Sequence, residues 1–370
     1  MRTVTILQEY VPQYRVPLFQ AMQEIGMGSG LRIQVAAGVP HKSLRQRSDG
    51  VLDDVDVKLN QREIRLGGRR LVMRSTGEVY QNSDLVVVEQ ARRNIDVYIQ
   101  LLRSGKKIAM WGHGRDYVDS PSRVRKELLT RLTNKSAWFF GYTHESVDAV
   151  VSSGFDRGRT TNLRNTIDTR TLRRYLESTD DREVEEIRRQ LKATHLAVTI
   201  GAVDESKRIP FLLDACALVA SRLDGFKLVI AGDGADSSFV VDQSARHEWL
   251  IKQPPVRGKD LALLLKAADV LAMPGRVGLV AVDALTARVP TVTTDWPYHA
   301  PERAYLDAST SVVSRNTVRD FANELEMLLR NPAQIESMSR ACIASSEGLS
   351  IQEMAERFIG GILGALERQE

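Results

Sequence analysis

The chain has 370 residues, a formal net charge of +4, 43% hydrophobic residues and 26% charged residues. The apolar fraction is close to the globular average of ~45–50%, which excludes wholesale disorder, and the length suits two domains of ~150–200 residues. Two cysteines are too few for a disulfide framework, the first residues do not read as a signal peptide, and no run approaches the ~18 apolar residues of a spanning helix. We therefore expect a cytoplasmic protein with two domains.

Charge is distributed unevenly between the two halves. Residues 1–170 carry 27 Lys and Arg against 18 Asp and Glu, whereas residues 171–370 carry 24 against 29. A basic first half fits an anionic membrane surface as a partner, and it fits a solvated arginine-rich surface equally well. The predicted helix 123–132 shows the same ambiguity, because its basic residues surround an apolar stripe. We expect no nucleic-acid partner.

Short apolar runs alternate with helical periods through the first half. The predicted strands are 4–7, 31–36, 85–88, 107–111 and 138–142, and the helices between them include 16–25, 95–103 and 123–132. Apolar runs without polar alternation are typical of strands covered on both faces, and so of a parallel sheet. The stretch 49–76 is less regular and fits either an antiparallel insertion or a mobile loop.

The second half repeats this pattern independently. Its predicted elements are strand 196–200, helix 209–222, strand 226–231, helix 237–246, strand 270–272, helix 279–287, strand 291–294 and three final helical stretches. Each half can form a doubly wound sheet. The pattern predicts an α/β protein with two Rossmann-like domains, 1–170 and 193–349, that face a central cleft. A helical linker, 171–192, joins them, and a last helix, 350–370, reaches back towards the first domain.

Glycines and cations follow successive strands of the second half, where ligands of open α/β sheets bind. Gly201, Lys207 and Arg208 follow the first strand, and Gly232 and Gly234 follow the second. The third is followed by a longer set that comprises Arg276, Gly278, Leu279, Val280 and Asp283. A mobile cation together with the backbone N–H groups of a helix start favours a nucleotide diphosphate as ligand. One such glycine alone more often forms only a turn.

The first half offers two further candidates after its strands. Tyr14 and Arg15 precede a helix and could hold an acceptor hydroxyl or an anionic group, or could simply form a helix-entry turn. His113 lies between Gly112 and Gly114, which allow a ligand to approach its imidazole closely. The Asp54-Val55-Asp56 triplet spells a metal-binding pattern, but it lies apart from every nucleotide-binding feature, and no His or Cys spacing suits zinc. We predict no metal site.

Six segments in order resemble the retaining family-4 glycosyltransferases, which have the GT-B architecture. The segments are Asn165-Thr166-Ile167-Asp168, Gly201 to Arg208, Ile230 to Gly234, Gly278 to Leu285, Pro290 to Thr294 and His299-Ala300-Pro301-Glu302. The resemblance covers essentially the whole chain. It is greatest to the branch with a Met-Pro-Gly segment before the glycine-led helix and a His-x-Pro-Glu segment after it.

The resemblance implies a role for each of these residues. Lys207 would contact the donor diphosphate with Arg208 nearby, Gly278 to Val280 would bind the distal phosphate, and Asp283 would hold the ribose. His113 would position the donor sugar, and Glu302 would order the donor pocket or orient the substrate. The implied reaction moves a sugar from a nucleotide diphosphate-sugar to a glycan, lipid-linked or small-molecule acceptor, with no metal or other cofactor.

Three positions depart from the family pattern. Ala202 replaces an arginine, Gly275 replaces a glutamate, and Arg288 replaces a glycine. Ala202 removes a cation from the donor phosphate, for which Arg208 or Arg276 would have to compensate. Gly275 removes the usual carboxylate contact with the donor sugar and so leaves the identity of that sugar open. Two alternatives stay open. A sugar-nucleotide epimerase shares the two-domain layout, and Ala202 and Gly275 would fit a non-catalytic sugar-nucleotide-binding subunit.

Overall fold

A computed structural model of the chain describes residues 1–38, 50–51, 55–66, 69–91, 93–104, 107–115 and 123–368. The chain forms two compact units. The first comprises Met1–Ile167 together with Ser350–Glu370, and the second comprises Asp168–Leu349.

Seven parallel strands form the main sheet of the first unit, in the order β11-β10-β9-β8-β1-β3-β5. They are β1 (Arg2–Gln8), β3 (Leu31–Ala37), β5 (Val57–Lys58), β8 (Leu85–Glu89), β9 (Ile108–Gly112), β10 (Trp138–Gly141) and β11 (Thr160–Asn162). The helices between them are α1 (Val16–Gly28), α2 (Gly77–Gln81), α3 (Ile95–Ser104), α4 (Arg123–Asn134) and α5 (His144–Val151).

Both faces of this sheet are buried by apolar side chains. Successive side chains of a strand point to opposite faces, so Val87 lies in one cluster with Ile6, while Val86 and Val88 lie in the other with Leu7. This two-sided burial is the reason that the strands read as uninterrupted apolar runs in the sequence.

Two small antiparallel pairs accompany the sheet. β2 (Val11–Pro12) pairs with β4 (Gly50–Val51), and β6 (Gln61–Leu66) pairs with β7 (Arg69–Arg74). The structure therefore shows an antiparallel insertion within the irregular stretch 49–76, one of the two alternatives predicted for it.

The sheet of the second unit has six parallel strands in the order β14-β13-β12-β15-β16-β17. They are β12 (His195–Ile200), β13 (Phe226–Ala231), β14 (Leu250–Gln253), β15 (Val270–Met273), β16 (Thr291–Thr294) and β17 (Ser311–Ser314). The helices of the second unit, in chain order, are α6 (Thr169–Ser178), α7 (Asp181–Leu191), α8 (Ile209–Ala220), α9 (Ser237–Ser244), α10 (Gly258–Ala267), α11 (Val280–Thr286), α12 (Val318–Leu329) and α13 (Pro332–Ser346).

Residues 171–192, predicted as a linker, lie in α6 and α7, and both helices pack against α10 within the second unit. The last helix, α14 (Ile351–Glu367), packs against α1, β10 and β11 of the first unit. Its buried face includes Phe358 and Ile362. Among the described residues, no helix has the length and hydropathy needed to cross a bilayer. The predicted α/β class with two Rossmann-like parallel sheets is confirmed.

Candidate functional site

The strand order of the second sheet opens a crevice between two neighbouring strands. From β12 the chain moves to β13 and β14 on one side, and from β15 it moves to β16 and β17 on the other. The loops that leave the carboxyl ends of β12 and β15 therefore diverge, which is where doubly wound sheets bind ligands. Residues 201–208 and 274–280 form these two loops.

Glycines bring the loop after β13 into backbone contact with the loop after β12. A Cβ atom on Gly232 would lie 1.8 Å from the Gly201 carbonyl oxygen, and one on Gly234 would lie 2.3 Å from the Val203 carbonyl oxygen. The Val203 N–H donates to the Asp233 carbonyl at 3.0 Å. Gly201 has a φ of +121° and open space around its Cβ position. The structure thus gives Gly232 and Gly234 a packing role, and donor contact by these glycines stays a prediction.

Lys207 joins the two sides of the crevice. It ends a 3-10 turn, Glu205–Lys207, and its Nζ donates to the Arg276 carbonyl at 2.6 Å. In return the Arg276 N–H donates to the Ser206 carbonyl at 2.8 Å. A Cβ atom on Gly275 would lie 2.5 Å from the backbone of Ser206 and Lys207. This contact is a physical reason for glycine at position 275, because a larger residue would force the two loops apart.

Arg208 also links the loop after β12 to the loop after β15. It has a φ of +55°, and its guanidinium lies 4.1 Å from the ring centre of Phe211 and 5.6 Å from that of Trp296. Nη1 donates to the Pro274 carbonyl and to Asn316. Burial lowers the pKa of the Arg208 guanidinium below its ordinary value. The cation therefore lies beside the crevice, stacked on aromatic rings.

Gly278, Leu279 and Val280 form the start of α11, whose first residue is Val280, one residue after the predicted start at 279. Within the described residues, the backbone N–H groups of these three residues donate to no acceptor. The first turn is closed instead by the Ala281 N–H, which donates to the Gly278 carbonyl at 2.9 Å. Unpaired N–H groups at a helix start favour an anion.

Asp283 lies one turn further along α11 and is half-buried. No donor in the described part of the chain is bonded to its carboxylate, and burial raises its pKa from 3.8 to about 7. A carboxylate in this condition has unused hydrogen-bonding capacity, which suits a ligand that brings hydroxyl groups.

His299 fixes the loop after β15, a role that the sequence did not predict. Its Nδ1 accepts from the Val277 N–H at 3.2 Å, and its Nε2 bonds the Thr294 carbonyl at 2.9 Å. Burial lowers the pKa of His299 to about 4, with Arg303 and Lys207 acting in the same direction. The imidazole is therefore neutral at pH 7, and the acceptor role of Nδ1 places the proton on Nε2.

Glu302 is 3% exposed and lies beside the start of α11. A Cβ atom on Gly278 would lie 3.9 Å from Glu302 Oε2. The segment that carries both His299 and Glu302 is thus part of the wall of the crevice, as the His-x-Pro-Glu spacing could have indicated.

Tyr14 and Arg15 have opposite environments in the first unit. Tyr14 is 42% exposed, whereas Arg15 is 4% exposed. Nη1 of Arg15 donates to Asn165 Oδ1 at 2.9 Å, and its guanidinium stacks 4.4 Å from the ring centre of Trp111. Arg15 thus ties two strand ends together, and acceptor binding by either residue stays a prediction.

His113 follows β9 and is half-buried. Its ring meets Tyr142 edge-on at 4.6 Å between ring centres. A Cβ atom on Gly114 would lie 2.1 Å from the Ser146 carbonyl oxygen, so this glycine holds the loop against the start of α5. The flanking glycines therefore place the imidazole at the carboxyl edge of the first sheet.

Two features from the sequence lie wholly or partly outside the described residues. The first is the Asp54-Val55-Asp56 triplet, of which Asp54 is outside the described residues. Asp56 is described and accepts from the Val35 N–H at 2.7 Å. The second is the basic face of α4, most of whose basic side chains are outside the described residues. Leu128 on this helix is described and is 56% exposed. Binding to an anionic membrane surface therefore stays a prediction.

Comparison with known proteins supports the chemistry indicated by the second unit. Residues 194–331 match the family described as glycosyl transferases group 1. A curated relative, the D-inositol 3-phosphate glycosyltransferase of Arthrobacter sp. (strain FB24), is 29% identical over 166 residues. That alignment spans 42% of this chain and 39% of the relative.

Solved structures match nearly the whole chain at low sequence identity. Anabaena HepE in complex with UDP has a TM-score of 0.71 and 13% identity, with 98% of this chain and 100% of that chain covered. A glycosyltransferase from Rickettsia africae has a TM-score of 0.71 and 9% identity, with 100% and 99% covered. A putative UDP-N-acetylglucosamine 2-epimerase from Listeria monocytogenes has a TM-score of 0.65 and 15% identity, with 100% and 97% covered. These likenesses show the fold, which is that of GT-B proteins.

Proposed function

We propose that this chain is a retaining glycosyltransferase that moves a hexose-type sugar from a nucleotide diphosphate-sugar to a hydroxyl group. The observation that carries the proposal is the content of the crevice between β12 and β15. There Lys207 follows one of two adjacent strands, and the N–H groups of residues 278–280 and the Asp283 carboxylate, none of which has a hydrogen-bond partner among the residues that the structure describes, follow the other. A cation, N–H donors and a hydroxyl-binding carboxylate match a diphosphate joined to a ribose.

The proposed chemistry is electrostatic. The acceptor oxygen attacks the anomeric carbon from the side on which the diphosphate leaves, the bond from that carbon to the phosphate oxygen breaks, and a phosphate oxygen takes the acceptor proton. Lys207 and the N–H groups at the start of α11 stabilise the negative charge that grows on the leaving diphosphate. His299 fixes the loop that presents those N–H groups, Glu302 orders the donor pocket, and His113 positions the donor sugar. This reaction uses no metal or other cofactor.

The names of similar proteins guide the choice of donor. The Anabaena HepE structures contain UDP, UDP with glucose, and UDP-glucose. UDP-glucose is therefore the first donor to test here, followed by other nucleotide sugars. The reaction would belong to the synthesis of a polysaccharide, a glycolipid or a small glycoside.

The test measures the slow release of nucleoside diphosphate from a panel of nucleotide sugars. We expect release from a preferred donor and a fall of roughly 100-fold or more in Lys207→Ala, since loss of one donor to a developing oxyanion costs about that factor. Lys259→Ala is the matched control, because Lys259 is an exposed lysine of the same unit that pairs with Glu183.

The products distinguish the alternatives. Tight nucleotide binding with no release, even with acceptors present, would indicate a binding subunit. A sugar of altered configuration that is still joined to its nucleotide would indicate an epimerase. Inversion at the anomeric carbon of a transferred sugar would contradict the retaining mechanism.

A further inference from the structure

The hairpin of β6 and β7 has one strand at an open edge. Within the described residues β6 pairs with β7 alone, and β7 in turn packs against α3. Residues 62–65 of β6 are exposed, whereas Val72 and Arg74 of β7 are buried. β6 is therefore an edge strand, and a strand in this position can pair with a strand of another chain.

The hydrogen-bonding pattern of the hairpin shows which backbone groups of β6 face outwards. Opposite residues of an antiparallel pair alternate between pairs that exchange both hydrogen bonds and pairs that exchange none. Glu63 lies opposite Val72, whose N–H donates to the Arg93 carbonyl at 2.7 Å. Glu63 and Val72 therefore form a pair that exchanges no hydrogen bonds, and so do Arg65 and Arg70. The N–H and C=O groups of residues 63 and 65 thus point away from β7.

Arg65 is an exposed cation on this strand. It lies directly opposite Arg70, and like charges in such positions destabilise an antiparallel pair. Arg70 is compensated, because Glu63 accepts from its Nη1 at 2.8 Å and Glu9 accepts from its Nη2. No carboxylate among the described residues pairs with Arg65. Its guanidinium is therefore available to a carboxylate from another chain.

A second copy of β6 supplies that carboxylate in one register. Two antiparallel copies related by a two-fold axis pair the outward-facing residues of one with those of the other. With Ile64 opposite its own counterpart, Glu63 of each copy lies opposite Arg65 of the other, so opposite charges meet twice. A shift of two residues would place either two Glu63 or two Arg65 side chains opposite each other. The charges of this edge thus favour a single register between two copies.

Ile64 is the apolar contact at the centre of this pairing. Its side chain is 48% exposed and lies on the face opposite to Glu63 and Arg65, because side chains alternate along a strand. Ile64 and its counterpart would form a non-hydrogen-bonded pair, in which the Cα atoms are ~4.5 Å apart and the side chains are close. The pairing therefore buries apolar surface on one face of the strand and matches charges on the other.

We infer that β6 is an interface for a second copy of this chain. The two hairpins join into one antiparallel sheet of four strands, with Ile64 on the two-fold axis. The inference is independent of the proposed function. One pair of short strands is a small interface, and interfaces below ~1,200 Å² are typical of weak complexes. The dimer should therefore form progressively as the protein concentration rises.

The first measurement is disulfide cross-linking of the full chain with Ile64→Cys under mild oxidation. Cys216 and Cys342 are buried, so the introduced cysteine is the reactive one. Met73→Cys is the matched control, because Met73 is 39% exposed on the same face of the hairpin but on β7. Since a Cα separation of ~4.5 Å allows a disulfide, Ile64→Cys should form a covalent dimer roughly tenfold faster than the control. Equal rates in the two variants would overturn the inference.

The second measurement is sedimentation equilibrium of charge variants up to millimolar concentration. The average mass of the wild type should rise with concentration. Arg65→Glu alone and Glu63→Arg alone should stay monomeric, because each places like charges opposite one another. An equimolar mixture of these two variants should dimerise again, since every arginine then lies opposite a glutamate of the other chain.

This recovery distinguishes a broken interface from a misfolded chain, and circular dichroism checks the fold of each variant. A wild type that stays monomeric throughout, or self-association that is unchanged in Arg65→Glu, would overturn the inference. So would a mixture of two correctly folded charge variants that stays monomeric.

Discussion

At the scale of single residues, the Asp283 carboxylate should destabilise the folded protein and bind the donor ribose. One substitution, Asp283→Asn, tests both effects. The pKa of Asp283 is raised from 3.8 to about 7 by burial, so the native state binds more protons than the unfolded state between pH 4 and 7. This group therefore destabilises the native protein increasingly as pH rises through that window, and fully above it. Asp283→Asn should raise the Tm by roughly 10 °C at pH 8, because a shift of about three pKa units corresponds to ~4 kcal/mol, and by little at pH 4.

The same substitution should weaken donor binding, because hydrogen bonds from ribose hydroxyls to a charged acceptor contribute about 1.5–3 kcal/mol. A more stable protein with a nucleotide Kd at least tenfold higher is the expected pair of results. Asp224→Asn, at an exposed position of the same unit, controls for loss of charge alone. A Tm that falls at pH 8 in Asp283→Asn would mean that the carboxylate has a stabilising partner after all.

The crevice of the second unit can be predicted from the sequence, whereas the contacts that form it cannot. Gly201, Lys207 and Gly278 could be found because each follows an apolar run at a strand end. The bond from Lys207 to the Arg276 carbonyl and the stacking of Arg208 on Trp296 join residues 69 and 88 positions apart. Such pairs depend on strand order, which a single sequence does not contain.

At the scale of elements, two adjacent glycines of α14 make a matched pair. A Cβ atom on Gly361 would lie 2.4 Å from the Phe140 ring and 2.5 Å from Thr161 Oγ1, whereas one on Gly360 would have nothing within 4 Å. Helix propensity alone favours alanine over glycine by about 1 kcal/mol. Gly360→Ala should therefore raise the midpoint of thermal unfolding by a few degrees, and Gly361→Ala should lower it, since the ring and the helix must move apart.

Thermal unfolding followed by circular dichroism measures both variants under one condition. Equal stabilisation by the two substitutions would show that α14 is loosely held against β10.

Most helices and strands can be predicted from the sequence, and α14 is an example. Its amphipathic pattern and length could be recognised from the sequence, and the runs that became β1, β8 and β12 were evident because both faces of each strand are apolar. The hairpin of β6 and β7 was less evident, because its strands mix arginine with apolar residues.

At the scale of the whole molecule, each unit has a separate apolar core, and the chain returns to the first core only through α14. Phe358 of α14 is fully buried and meets Trp111 edge-on at 5.0 Å, while Phe321 is fully buried in the second unit against Phe211. Truncation of a buried phenylalanine to alanine costs about 3–5 kcal/mol. Hydrogen exchange in Phe358→Ala should therefore accelerate in β1, β8 and β9, although the substitution is near the carboxyl end of the chain.

Phe321→Ala is the reciprocal variant and should accelerate exchange in β12, β13 and β15 instead. The contrast follows from burial: each phenylalanine contributes apolar contacts to one core, and stability lost in one cooperative region need not be lost in another. Peptide-resolved hydrogen exchange on both variants makes the comparison within a single experiment. Equal loss of protection in both units from either variant would contradict this prediction. It would show that the two apolar cores unfold in a single cooperative step.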